Sequence, residues 1–331
     1  MDIAVTGGTG FLGRYIINRI LHAGHRCRCW YRPESDRGGF HDDGKAIAWI
    51  AGGLHEPDSI APLIDGAQAV VHAGLYRPPV SAGHRGADLD VAEFVQINVV
   101  GTLDLIQASR RARVGRFVFI STCSVHDVIL EDRPLDETHP LWPLSHYGAH
   151  KAAIEKFVHS FGLPYVPDPT SVRTHKHIAA KEAWAICSLR PVGIYGLRRP
   201  IERGKWFRVV RDVMDGALID DPSGGKEVHA EDVAAAVDLL LHADPVAIAG
   251  QSYNCSDLYV AAQEVAQIAK TLTGSSSEIV ATNRGPRHQI DSSKIEALGM
   301  RFSGRRRLEQ YVGDLVEAVR MEGGAALGGT G

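Results

Sequence analysis

Thr6-Gly7-Gly8-Thr9-Gly10-Phe11-Leu12-Gly13 lies between the apolar run Ile3-Ala4-Val5 and an amphipathic stretch from Tyr15-Ile16-Ile17 to Ile20-Leu21. A strand that breaks into glycines and becomes a helix is the setting in which a loop binds a dinucleotide pyrophosphate. Gly7 allows the tight turn, Gly10 brings the backbone to the phosphates, and Gly13 lets helix pack on strand. The helix start then offers free N–H groups and the positive end of its dipole to the anion. The spacing is G-x-x-G-x-x-G rather than G-x-G-x-x-G. Glycine-rich turns also occur as plain strand–helix connections, so the reading needs further motifs.

Outward from this turn, strand and helix signals alternate. Strands are expected over 27–31, 46–50, 69–72, 117–120 and 185–189, and helices over 58–63, 91–112 and 147–161. Phe117-Val118-Phe119-Ile120 is a continuous apolar run, as in a strand buried on both faces. The alternation implies parallel strands with right-handed crossovers, hence an α/β fold with a Rossmann-type doubly wound sheet over 1–195. After Tyr195 it weakens. Helices over 208–214, 232–241, 261–272 and 308–319 with short strands between them suggest a smaller α+β C-terminal lobe, built from 196–228 and 243–322. The helix over 229–242 returns to the first domain. The glycine-rich end, 323–331, reads as a flexible tail. Segment 164–184, rich in Pro, His and Lys, is an insertion expected to act as a lid.

A net charge of −3 gives no basic field for nucleic acid or an anionic membrane surface. The longest apolar stretch, Val233 to Val237 with Leu239 to Leu241 after Asp238, is too short to span a bilayer and reads as a buried helix. No basic leader or cleavable apolar core opens the chain. Cys27, Cys29, Cys123, Cys187 and Cys255 lack metal-ligand or disulfide-framework spacing. A cytoplasmic protein with reduced thiols and no metal is expected. Cys27 and Cys29 share one strand face and read as packing residues.

Tyr147-Gly-Ala-His-Lys151 places a phenol and an ammonium on one helix face. An ammonium nearby stabilises a phenolate, giving an acid/base near neutral pH. The pair follows a strand that runs into Ser121-Thr122-Cys123-Ser124, and strand C-termini form the crevice of a parallel sheet. His72 and His229 read as structural, and Cys123 as a spectator on the face opposite Thr122.

In these segments the chain resembles the extended short-chain dehydrogenase/reductases of the NAD-dependent epimerase/dehydratase family. Further matches are Val70-Val71-His72-Ala73, Asn98-Val99-Val100-Gly101-Thr102, Leu189-Arg190-Pro191 with Tyr195-Gly196, and Val228-His229-Ala230-Glu231-Asp232-Val233. The resemblance implies Tyr147, Lys151 and Thr122 as catalytic residues. It implies cofactor contacts at Gly7, Thr9, Gly10, Phe11, Leu12, Gly13, Tyr31, Arg32, Leu54, Ala73, Asn98, Lys151 and Pro191, and substrate contacts at Ser124, Tyr147 and Arg198. It also implies a homodimer through the helices over 91–112 and 147–161.

The chain departs from the family pattern in four places. Tyr31 followed by Arg32 stands where NAD enzymes place a carboxylate for the ribose 2′-hydroxyl, so no acid repels a 2′-phosphate and a guanidinium could bind one. NADP is therefore favoured over NAD, with a plain loop charge as the alternative. Gly53-Leu54 replaces the Asp-Leu that contacts adenine. Cys123-Ser124 replaces the Asp-Glu of the dehydratases, and His126-Asp127 alters the substrate pocket, so dehydration is disfavoured. The expected activity is NAD(P)-dependent hydride transfer at a hydroxyl or keto carbon of a sugar, sugar acid or nucleotide sugar. Epimerisation and net redox stay open. The alternatives are a reductase of a non-sugar ketone and a non-catalytic cofactor sensor.

Overall fold

A computed structural model describes residues 1–41, 44–77, 90–163, 183–281, 285 and 288–327, the last five by their backbone alone. Seven parallel strands form the main sheet: β1 (Asp2–Thr6), β2 (Arg26–Tyr31), β3 (Ile47–Ala51), β4 (Ala69–His72), β5 (Arg116–Ile120), β6 (Ala185–Pro191) and, after the second sheet's β7 (Gly193–Tyr195) and β8 (Gly224–His229), β9 (Gln251–Cys255). Their order is β3-β2-β1-β4-β5-β6-β9, with Ile3 opposite both Cys27 and Ala69. The doubly wound sheet expected from the alternation is present. The order reverses between β1 and β4, which opens a crevice at their C-terminal ends.

Side chains on successive strand positions point to opposite faces, and the sheet has a core on each. Ile3, Val5, Cys27, Cys29, Val71 and Val118 face α1 (Phe11–His22) and, later in the chain, α7 (Ala230–His242), which brings Val233, Val237 and Leu240. Ala4, Val70, Phe117 and Phe119 face the other layer. That layer holds α2 (Ile60–Ile64), α3 (Val91–Val95), α4 (Gly101–Arg111) and α5 (His146–Gly162). A π-helical turn, Gln96–Val100, joins α3 to α4, so the helix expected over 91–112 is three segments. The short helix expected over 58–63 starts as a 3₁₀ turn at Pro57–Ser59.

A second sheet, ordered β10-β8-β7, contains β10 (Leu258–Ala261), antiparallel to β8, and β7, parallel to it. Its core of Tyr195, Val260 and Tyr311 is completed by α6 (Phe207–Met214), α9 (Ala262–Thr273) and α11 (Gly304–Leu327). The short helices α8 (Pro245–Ile248) and α10 (Ser293–Ala297) flank β9. Residues 323–327 of the expected tail continue α11. Most of the lid expected over 164–184 lies outside the described residues. Trp184, at its end, is buried and donates its indole N–H to Val114 O at 2.7 Å. Among the described residues no helix is long and apolar enough to cross a membrane.

Candidate active site

The glycine turn packs against the chain leaving β4. Gly7 has φ +70°, and a Cβ there would meet Ala73 O at 2.7 Å. A Cβ on Gly13 would meet Gly7 O at 2.1 Å, so α1 can lie on the turn only as glycine. Gly10 caps α1 with no side-chain hydrogen bond and no acid in the first turn. Its first N–H groups thus open on a cleft of about 630 Å³. A turn that any side chain would fill, at an uncapped helix start, fits a dinucleotide pyrophosphate.

At one end of the cleft the wall is Tyr31, Arg32, Glu34, Ser35, Asp36, Leu54 and His55. Thr9 Oγ1 donates to Ser35 Oγ at 3.5 Å, and Arg32 N donates to the same hydroxyl at 3.0 Å. The expectation that no carboxylate stands here is corrected. Glu34 lies 3.4 Å from Arg32 Nε, and Asp36 pairs with Arg14 at 3.1 Å and Arg199 at 3.4 Å. The Gly38 amide and the two guanidiniums hold the Asp36 carboxyl below the usual carboxylate range.

Thr122, Tyr147 and Lys151 meet at the other end of the cleft with Ser121, Pro191, Val192 and Ile194. Thr122 ends β5 in extended conformation and caps the 3₁₀ turn Cys123–Val125, accepting from Ser124 N at 3.1 Å. Tyr147 is in the first turn of α5, whose N-cap Ser145 accepts from Gly148 N at 3.0 Å. Its phenol lines the cleft with Thr122, and burial holds its pKa above the ordinary tyrosine value. The groups pulling that pKa back are Thr122 and the Arg77 guanidinium. Lys151, expected in that role from spacing, turns inward instead. Its Nζ donates to Ile120 O at 2.7 Å and sits 4.5 Å from the Phe119 ring centroid. Burial lowers its pKa to about 7, with Glu155 opposing and Arg77 adding to the shift.

Behind this end, Arg190 grips Glu155 with Nε at 3.0 Å from both carboxylate oxygens and a terminal nitrogen at 2.6 Å. Both side chains are buried, and a fully hydrogen-bonded pair of this kind fixes geometry rather than adding net stability. Arg190 also donates to His126 Nε2 at 3.2 Å, which leaves Nδ1–H for Pro140 O. His126 is neutral, its pKa driven by burial to about 4. Cys123 donates to Arg190 O at 3.0 Å, and burial raises its thiol to about 12, in keeping with a spectator.

The wall therefore gathers Gly7, Thr9, Gly10, Phe11, Leu12, Tyr31, Arg32, Leu54, Ala73, Thr122, Tyr147, Lys151, Pro191 and Arg198. Arg198 lies over the Phe11 ring at 4.3 Å. Three expected residues are placed elsewhere. Gly13 is under the turn. Ser124 is exposed outside the cleft lining and accepts from Thr122 Oγ1 at 3.2 Å. Asn98 is buried and holds the Tyr76 backbone, accepting from its N–H at 2.8 Å and donating to its carbonyl at 3.1 Å. His72 bridges Thr6 and Thr102 at 2.5 and 2.9 Å, and His229 caps α7, accepting from Glu231 N, so both are structural as expected. Leu75, Tyr76 and Arg77 also line the cleft and were not singled out from sequence. Their place just past the C-terminus of β4, the end that carries the crevice, was the available signal.

The model of the NAD dependent epimerase/dehydratase family matches residues 3–256. Among solved structures, the fold is similar to Thermus thermophilus UDP-glucose 4-epimerase in complex with NAD (TM-score 0.70, 21% identity, 96% of this chain and 99% of that one). It is also similar to Bordetella bronchiseptica WbmH in complex with NAD+ (TM-score 0.69, 20% identity, 96% and 98%). Among curated relatives, a Stigmatella aurantiaca 4-hydroxy-2-methyl-3-oxo-4-farnesyl-3,4-dihydroquinoline-1-oxide ketoreductase is 33% identical over 163 residues, 48% of this chain and 45% of that protein. A Stenotrophomonas maltophilia 2-alkyl-3-oxoalkanoate reductase is 30% identical over 200 residues, 59% and 52%. The chain thus spans about half the length of these relatives. The Haloferax volcanii low-salt glycan biosynthesis protein Agl12 is 25% identical over 311 residues, 90% and 93%.

Proposed function

Because the chain belongs to the NAD-dependent epimerase/dehydratase family, we propose that it is an NAD(P)-dependent oxidoreductase or epimerase. It acts at a hydroxyl-bearing or keto carbon of a sugar, sugar acid or nucleotide sugar. The observation that carries this reading is the meeting of Thr122, Tyr147 and Lys151 on a wall whose far end is the glycine turn. The bound dinucleotide supplies or accepts the hydride. Tyr147 gives or takes the hydroxyl proton, and Thr122, beside the phenol, holds the substrate oxygen. Lys151 binds the ribose next to the reacting ring, while Arg190 and Glu155 keep Pro191 and α5 in place beside it.

A keto product that stays bound and is reduced on its other face gives epimerisation; one that leaves gives net redox. Cofactor that stays with the purified protein supports the first, and exchangeable cofactor the second. Tyr147→Phe is expected to lower the rate of hydride transfer at least a hundredfold with cofactor affinity unchanged. Wild-type rates in that variant would refute the acid/base role.

A second reading, reduction of a non-sugar ketone, is favoured by the ketoreductase and oxoalkanoate reductase named among the relatives. A panel of sugars, sugar acids, nucleotide sugars and simple ketones, followed at the nicotinamide absorbance, separates the two. Retention of both Tyr147 and Lys151 weighs against a non-catalytic sensor. Within the same reading, Arg32 takes the 2′-phosphate of NADP, and the enzyme works as a homodimer.

A further inference from the structure

Resting on that reading, we propose that Arg77 is the substrate's anion site, and that the substrate carries a carboxylate close to its reacting carbon. The cations on the wall sort by place. Arg32 is at the far end beside Glu34 and Asp36. Arg198 lies over Phe11, in the first turn of α1, beside whatever anion the glycine turn holds. Lys151 is buried and committed to Ile120 O. Arg77 is left over: it has no ion-pair partner among the described residues, and no carboxylate lines the reacting end among them.

Its backbone is anchored one residue earlier, where the buried Asn98 takes both polar groups of Tyr76. Arg77 is exposed on the wall of the cleft that Tyr147 and Lys151 also line, and its charge acts on both of them. Lys151 has Glu155 as its counter-charge, whereas Arg77 has none among the described residues, and a ligand carboxylate would supply it. A guanidinium also matches a carboxylate in bidentate fashion, which a neutral sugar hydroxyl cannot exploit. A phosphoryl group at the far side of a nucleotide sugar lies several bonds from the carbon that meets Tyr147. The fit is therefore to a hydroxy or keto acid, from a sugar acid or from a 3-oxo acid.

The test uses full-length protein loaded with NADPH, with nicotinamide fluorescence reporting binding of a hexuronate, of a 3-oxo acid and of the methyl ester of each. At least one acid is expected to bind about tenfold or more tightly than its ester. Which acid does so identifies the source of the carboxylate. Arg77→Gln should abolish that preference, Arg77→Lys should restore part of it, and both should keep the affinity for NADPH within about twofold. Equal binding of acid and ester overturns the proposal, as does binding of neither acid. Loss of NADPH affinity in Arg77→Gln also overturns it, by assigning the guanidinium to the dinucleotide. The readout does not require turnover, so failure of the hydride-transfer reading shows separately, as unaltered catalysis in Tyr147→Phe.

Discussion

On the proposed reading, cofactor choice turns on the exposed pair Arg32 and Glu34. The guanidinium and the carboxylate are 3.4 Å apart with 62% and 68% of their side chains exposed, so their mutual attraction is worth no more than about 1 kcal/mol. A 2′-phosphate brings more charge and a geometry suited to the guanidinium fork, and displaces Glu34. The hydroxyl of Ser35, which accepts from Arg32 N, adds a polar group at the same point. Arg32→Ala is therefore expected to raise the Kd for NADPH about tenfold and that for NADH less than twofold, by fluorescence titration. No loss for either cofactor would show that Arg32 is only a loop charge, and equal losses would place it on a part that NADPH and NADH share. Tyr31 and Arg32 were legible because they end a strand at a motif-defined place. Glu34, Asp36 and Arg77 were not, because they lie on loops, where side-chain direction has no period to read. The inward turn of Lys151 was equally hidden, since spacing puts two residues on one helix face without saying which neighbour the longer one meets.

The segment from Val91 to Arg111 shows the limit of periodicity for an entire element. Phe94 and Leu105 sit on the buried face as the helical spacing requires. The π turn over Gln96–Val100 then shifts the register, so that the polar Asn98 and Thr102 are buried as well. Thr102 meets His72, and Asn98 meets Tyr76. An apolar pattern cannot announce a helix that turns polar groups inward to hold a loop. Strands β1, β4 and β5 were legible as apolar runs, whereas β9, Gln-Ser-Tyr-Asn-Cys, has no such run and was not read from sequence although it belongs to the main sheet. Strand β7, with three residues, offers no such pattern. The outward face of the same layer leaves Val91, Val95 and Phe157 about two-fifths exposed on adjoining helices, α3 and α5, which Phe94 and His150 join edge to face at 5.0 Å. Pairing with a second copy would cover them. Light scattering at micromolar concentration should give the mass of two chains, and Phe157→Lys should shift it toward one. A wild-type monomer would defeat the homodimer.

Across the whole molecule, four buried histidines tie the layers together in their neutral form, and this makes stability depend on pH. His72 joins β1, β4 and α4; His126 backs Arg190; His150 packs between Tyr147 and Phe94; His229 caps α7. Burial lowers all four, with His126 and His229 at about 4, His150 at about 3 and His72 well below its ordinary value. An unfolded chain takes up these protons near pH 6.5, whereas the folded one takes them up near 4 at His126 and His229, near 3 at His150 and well below the ordinary value at His72. The stabilisation is thus complete above pH 6.5 and is lost as pH falls toward 4. Asp257 works in the opposite direction. Burial raises its carboxyl to about 6, so between pH 6 and 3.8 the folded state takes its proton first and gains stability. Burial raises the Glu137 and Glu227 carboxyls as well, so these groups oppose part of the loss that the four histidines cause. The urea midpoint should fall from pH 6.5 to 4, and His126→Gln should flatten that fall even if it lowers stability throughout. A midpoint that holds steady or rises over that range would mean that these histidines accept protons in the folded protein, and the neutral hydrogen-bond roles given to them would be wrong.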